Sequence, residues 1–221
     1  MDILVNNAGI PPTMRAVQFR EMNRHEWNAY IDVNLYGILN CVKATIDATA
    51  PFAIAHHGGA TDTMFAAGKS GEVHDFVKEV HDRGLLAGVS AHNPDCIERI
   101  ADEGWPVDFF MTCFYYLTRT RQELDKMPAI ATLQIGYPFF ASDPATMTEV
   151  VRQVGQPCLG FKILAAGRRC HDSQVVREAF QFAFAHIKPT DGVIVGMYPR
   201  YHDQIRENAD HTRRFAVTGP A

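Results

Sequence analysis

The chain is poor in the features that settle a protein's class at a glance. It has five cysteines in 221 residues (Cys41, Cys96, Cys113, Cys158 and Cys170), with no Cys-x-x-Cys pair among them. That spacing excludes a zinc ribbon, and an odd count without a framework points to a reducing compartment, so a cytoplasmic location is expected. Lysine and arginine number 21 against 25 acidic residues, a formal charge of −4, and they are scattered along the chain. No basic face is offered, and no nucleic-acid partner is expected. No apolar run approaches the ~18 residues of a membrane helix, and no signal-like segment opens the chain, so no membrane partner is expected. What remains is an ordinary globular balance, with 47% hydrophobic and 21% charged residues. That length fits one large domain or one and a half small ones.

The most informative stretch is Pro157-Cys158-Leu159-Gly160-Phe161-Lys162-Ile163-Leu164-Ala165-Ala166-Gly167-Arg168. A short apolar run bounded by proline and glycine reads as a buried parallel strand. Burying the charged end of Lys162 costs several kcal/mol unless a partner or a wet cavity receives it. Lys162 is therefore expected to enter a polar pocket at a strand end. The competing reading is an interior lysine paired with a carboxylate for structural reasons.

From residue 51 the same grammar repeats. Phe52–Ala55 reads as a strand ending in His56-His57-Gly58-Gly59-Ala60-Thr61-Asp62. A helix is expected over Glu72–Asp82, with an apolar stripe of Val73, Phe76, Val77 and Val80 and a stop at Gly84. Leu85–Val89 is the next strand, leading to Ser90 and His92. Asn93 and Pro94 then open a helix as N-cap and first helical residue, and Gly104 closes it. Further strands are expected at Val107–Phe114, at 130–135, around Lys162 and at Gly192–Val195. Helices are expected from Pro144 to Val154, over Gln174–His186 and over Tyr201–Phe215. Gly68-Lys69-Ser70 is a turn before a helix rather than a phosphate loop, because Thr63 stands where that motif needs glycine. Strand and helix in alternation mean parallel strands with right-handed crossovers.

Residues 1–47 begin with the strand Asp2–Val5 and the turn Asn6-Asn7-Ala8-Gly9. A helical segment follows from about Glu21 to Thr45, carrying Trp27, Tyr30, Ile31, Leu35, Ile38 and Val42 at helical spacing. Val5-Asn6-Asn7-Ala8-Gly9 and Trp27…Val33-Asn34-Leu35-Tyr36-Gly37 resemble the short-chain dehydrogenase/reductase family, with the resemblance ending near residue 47. It implies that Asn34 is the family's active-site asparagine and that Asn6 to Gly9 support a cofactor-facing strand. The family's Tyr-x-x-x-Lys has no counterpart, since no tyrosine here has lysine four positions on.

Residues 52–216 resemble the later barrel half of the aldo-keto reductase superfamily. Ile54-Ala55-His56 is similar to its strand ending in the active-site histidine, and Ala87-Gly88-Val89-Ser90 to its Gly-Val-Ser-Asn strand. Gln204-Ile205-Arg206-Glu207-Asn208 is similar to its Glu-Asn helix. The resemblance implies NADP or NAD bound across the strand ends, with His56 polarising a substrate oxygen and Ser90, Glu207 and Asn208 on the cofactor.

The fold expected is α/β. Residues 51–221 would form a partial TIM-type barrel of six or seven strands, and residues 1–50 a Rossmann-like strand-helix fragment before it. An open parallel edge would favour a homo-oligomer. The leading expectation for function is an NAD(P)-dependent oxidoreductase acting on a small carbonyl or alcohol. The alternatives are a barrel lyase or isomerase, or a chimeric or truncated product without activity. The lyase or isomerase would use Lys162 as a Schiff base, with Gly167 and Arg168 receiving a phosphate, or a metal held by His56 or His57 with Asp62 and His92.

Overall fold

The computed structural model describes residues 51–127 and 138–216. The expected N-terminal strand and helix, with Asn6, Gly9 and Asn34, lie outside the described residues, as does the strand expected at 130–135.

Five strands form one all-parallel sheet: β1 (Ala53–His56), β2 (Leu86–Ala91), β3 (Phe109–Cys113), β4 (Cys158–Phe161) and β5 (Gly192–Ile194). The crossovers carry α1 (Gly58–Ala66) and α2 (Ser70–Asp82), then α3 (Pro94–Asp102), then α4 (Arg121–Leu124) and α5 (Asp143–Gln153). A single 3-10 turn (Ala165–Gly167) and α6 (Ser173–His186) connect β4 to β5, and α7 (Gln204–Phe215) follows β5. The strands lie side by side in chain order. A doubly wound sheet reverses that order at a switch point, and the described strands contain no reversal.

Local chemistry explains most of these elements. Val73, Val77 and Val80 share one face of α2 and are 0%, 0% and 3% exposed. The Asn93 side chain accepts from the Asp95 amide, and Pro94 occupies the first turn of α3, so this start follows the expected capping. Gly84 and Gly104 end α2 and α3 at φ +73° and +65°, a region where a Cβ is strained.

Three expectations need correction. α1 begins at Gly58, where the sequence reading had a strand end and no helix before Glu72. Its glycines and threonines are weak helix formers, and burial of Thr61 and Asp62 holds the turn instead. The strand around Lys162 stops one residue short of it, at Phe161, because Lys162 takes φ +59° and leaves the ladder. The barrel expected to hold six or seven strands is a sheet of five among the described residues.

Strand register sorts side chains by face. Val89 pairs with Phe110 and Phe110 with Cys158, and these share a face with Ala87 and Ala91. The helices α2, α3 and α5 cover that face with Val77, Ile97, Ile100, Met147 and Val151. Each such aliphatic or aromatic side chain contributes about 1.5–3 kcal/mol by leaving water. The opposite face is less covered, with Leu86 45% and Ile194 39% exposed and Phe109, Met111 and Leu159 only partly buried.

Candidate functional site

The C-terminal ends of the strands converge on a buried carboxylate. Asp62, on α1 and 6% exposed, accepts the backbone amides of His92 (3.1 Å to Oδ2) and Asn93 (3.2 Å to Oδ1). It also accepts the Thr118 hydroxyl at 3.0 Å. Its fourth partner is His92 Nδ1 at 2.9 Å. A carboxylate only accepts, so Nδ1 donates to it, and an ammonium only donates, so a contact with Lys162 is met by the Nε2 lone pair. Nε2 lies 3.3 Å from Lys162 Nζ. The result is a chain of carboxylate, imidazole and amine drawn from α1, the end of β2 and the end of β4.

Strained backbone holds the last member. Lys162 sits at φ +59°, and Ala165 and Ala166 follow at φ +50° each. Left-handed residues other than glycine cost on the order of 1–3 kcal/mol each and persist where surrounding structure over-determines them. The conformation turns Nζ over the Phe161 ring at 4.6 Å, and the same ring meets the His92 imidazole edge-on at 5.7 Å. Lys69, Lys78 and Lys188 pair with Glu72, Asp75 and Asp191. Among the described residues no carboxylate pairs with Lys162. Its neighbour is a base, not a counter-ion. Lys162 also lines a cleft of about 590 Å³ with Phe161, Ile194, Val195, Met197 and Tyr198.

Ser90 belongs to this group, because it and His92 crowd the start of α1. A Cβ on Gly58 would lie 2.9 Å from Ser90 Oγ and 3.2 Å from His92 Cε1, so only glycine lets the helix approach. His56 does not belong to it. Its strand partner is Val89, on the helix-covered face, its Nδ1 is 2.8 Å from the Thr61 hydroxyl, and its ring meets Phe76 edge-on. Burial, aided by the neighbouring His57, lowers its pKa from the ordinary 6.5. Glu207 and Asn208 line a second cleft of about 330 Å³, with Glu207 held by His202 at 3.0 Å. The two clefts share Leu164, Cys170, Gly196 and Gln204, and are therefore contiguous.

The remaining candidates have other occupations. Burial pushes the Cys113 thiol up to about 12, so it stays protonated in the core. Arg168 lies over the Phe139 ring at 4.0 Å and donates to the Ala165 carbonyl. Asp62 and His92 hydrogen-bond each other, and among the described residues no three His, Cys, Asp or Glu side chains are grouped to hold a metal. Nor is any described helix long and apolar enough to cross a membrane.

Three contributions escape the sequence reading. Asp62 enters it only as a metal candidate, and Gly58 only as part of a strand end. The third is Arg119, which makes a bidentate pair with buried Asp143 (2.6 and 3.1 Å) while lying over the Tyr116 and Phe140 rings. The pair anchors the loop after β3 that supplies Thr118. No local pattern announces it, since 24 residues separate the partners.

Comparison with known proteins bears on the first part of the chain. The short chain dehydrogenase family model matches residues 1–80. The match runs past the expected stop near residue 47 and takes in β1, α1 and most of α2. Acetoacetyl-CoA reductase of Cupriavidus necator is 48% identical over 50 residues, which are 23% of this chain and 19% of that protein. The chain therefore spans about a fifth of that relative's length. No solved structure matches. The aldo-keto reductase resemblance finds no support in these matches.

Proposed function

We propose that the chain carries an NAD(P)-dependent oxidoreductase activity on a small carbonyl or alcohol. The observation that carries this reading is the short chain dehydrogenase match over residues 1–80, which includes the Asn6–Gly9 turn and Asn34. A relative named as the reductase of an acyl-CoA favours a carbonyl over other substrates. In this reading Asn6 and Gly9 support the cofactor-facing strand and Asn34 belongs to the active site. Residues 1–50 and 51–221 are two parts, consistent with Ala53–Ala221 forming a compact unit.

The second part contributes an arc of a barrel. Strands in chain order, helices packed on one face and polar groups gathered at the strand C-termini all support this, because barrel active sites sit at that end. The contiguous clefts fall within the ordinary size range of ligand pockets and fit an extended cofactor, with Lys162 at one end and Asn208 at the other. The nicotinamide, when bound, supplies or accepts a hydride. Lys162 donates a hydrogen bond to the substrate oxygen and so favours the charge that develops there. His92 exchanges a proton with Lys162 through Nε2, and Asp62 holds His92 in the tautomer that allows it.

Titrating NADPH and NADH against the fluorescence of Trp27 and Trp105 tests the reading. Saturable quenching in the micromolar range by either nucleotide is expected. No quenching at millimolar nucleotide would remove the proposal.

A further inference from the structure

We infer that Lys162 takes small aldehydes or ketones covalently, as an iminium, with His92 as the base that frees the amine. The inference goes beyond the oxidoreductase reading, since the step uses no nucleotide and no hydride from a cofactor.

Four observations converge on it. Lys162 stands in a left-handed conformation immediately after a strand, where lysine has no intrinsic reason to be. Strain of this kind gathers at sites where geometry serves a purpose. Its Nζ meets the bare nitrogen of His92 at 3.3 Å, so a proton leaving the amine has an acceptor within reach. Asp62 fixes the orientation and tautomer of that imidazole through the 2.9 Å bond to Nδ1. Finally, Lys162 lines a cleft of about 590 Å³, and among the described residues it has no carboxylate partner. Structural lysines in this chain look different: Lys188 is tied to the side chain of Asp191 at 3.0 Å.

The step balances within the site. Lys162 gives one ammonium proton to His92 Nε2, and the free amine attacks the carbonyl carbon. A C–N bond forms, and the carbonyl π electrons move to oxygen, which takes the proton back from His92. The carbinolamine nitrogen, which now carries two protons, passes one of them to His92 and keeps the other. Loss of the hydroxyl group as water, protonated on departure through His92, leaves the iminium. One carbonyl compound and one ammonium give one iminium and one water, with nothing oxidised or reduced. The Phe161 ring beside Nζ stabilises the cation that results.

The test is trapping on the full chain with propanal and sodium cyanoborohydride, followed by peptide mass mapping. The reductant converts the iminium to a stable N-propyl lysine. All six lysines compete in one sample: Lys43, Lys69, Lys78, Lys126, Lys162 and Lys188. Lys162 is expected to be labelled at least ~10-fold faster than the exposed Lys69 and Lys78, the scale of modest general base assistance. Labelling of Lys162 at or below their rate overturns the inference, and this comparison needs no variant. His92→Gln, checked for an unchanged thermal melt, should slow Lys162 about 10-fold and leave Lys69 and Lys78 unaffected. Asp62→Asn tests the positioning role. An amide can both donate and accept, so the tautomer is no longer fixed, and the pH profile of Lys162 labelling should change while that of Lys78 does not. An unchanged profile would remove Asp62 from the assignment. Trapping proceeds without nucleotide, so its failure leaves the oxidoreductase reading untouched, and absence of nucleotide binding leaves trapping untouched.

Discussion

The two ends of the sheet use the same residue types and use them differently. At the strand N-termini, Asp191 accepts the Cys158 and Lys188 amides (2.8 and 2.7 Å) and pairs with the Lys188 amine at 3.0 Å. Asp108 accepts the Ala87 amide and bonds His81, each at 2.7 Å. Both carboxylates staple the start of one strand to the approach of the next, and beyond Asp191 the Lys188 amine closes on the Val151 carbonyl at 2.5 Å. At the C-terminal end Asp62 performs the same stapling of the β2 exit, but passes its influence on through His92 to Lys162. The closed arrangement serves stability. The open one ends in an amine, at the carboxyl ends of the strands where parallel α/β sheets bind their ligands.

The sharpest way to break this comparison is to delete one carboxylate from each end. Asp62→Ala and Asp191→Ala should each lower the unfolding free energy by about 3–5 kcal/mol, the cost of orphaning a buried partner. Both side chains are almost inaccessible, at 4% and 0% exposure. Urea unfolding measures the loss, and propanal labelling separates the ends: Asp191→Ala should leave the preference for Lys162 intact. If Asp191→Ala abolished that preference, the two ends would not be functionally distinct.

A smaller effect is expected at the paired glycines that open α1. A Cβ at Gly58 would press on Ser90 and His92, and Gly58→Ala should cost about 1–3 kcal/mol as those side chains shift. At Gly59 the nearest atom is 3.4 Å from the added carbon and belongs to exposed His57. Gly59→Ala should therefore be neutral or stabilise by about 0.5 kcal/mol. Equal losses at both positions in thermal melts would show that the start of α1 is not a close approach to the site.

The smallest effect concerns His56, a histidine with a structural place beside one with a chemical place. Burial, with help from the His57 charge, depresses its pKa below 6.5 in the folded state. Above pH 6.5 the imidazole is neutral both folded and unfolded, and its contribution is fully present. As pH falls below 6.5 the unfolded chain takes up the proton first, and stability declines until folded His56 titrates as well. Urea midpoints measured on either side of pH 6.5 should show this decline, and His56→Gln should flatten it. A steeper decline in the variant would mean that folded His56 holds its proton more tightly than the unfolded chain does.

Elements of the sheet with strong local signals were legible beforehand. Asn93-Pro94 announced α3 because capping chemistry acts over a few residues, and the valine stripe of α2 announced its buried face for the same reason. β1 through β5 each fall within a residue or two of an apolar run bounded by turn residues. α1 was illegible because Gly58-Gly59 and two threonines argue against a helix, and tertiary bonds of Asp62 override them. The place of His56 on the helix-covered face was not legible, because alternation along a strand does not say which face the helices cover.

Local sequence was enough for the parallel α/β alternation, the start of α3, the stops of α2 and α3, and the placing of Lys162 and His92 at strand ends. Those follow from periodicity, capping and turn chemistry, all of which act between near neighbours. Folding alone brings Asp62 to His92, 30 residues away, and Lys162 to His92, 70 residues further on. Hydrogen bonds at that separation depend on register, crossover and a left-handed turn at Lys162, and no residue type encodes those in advance.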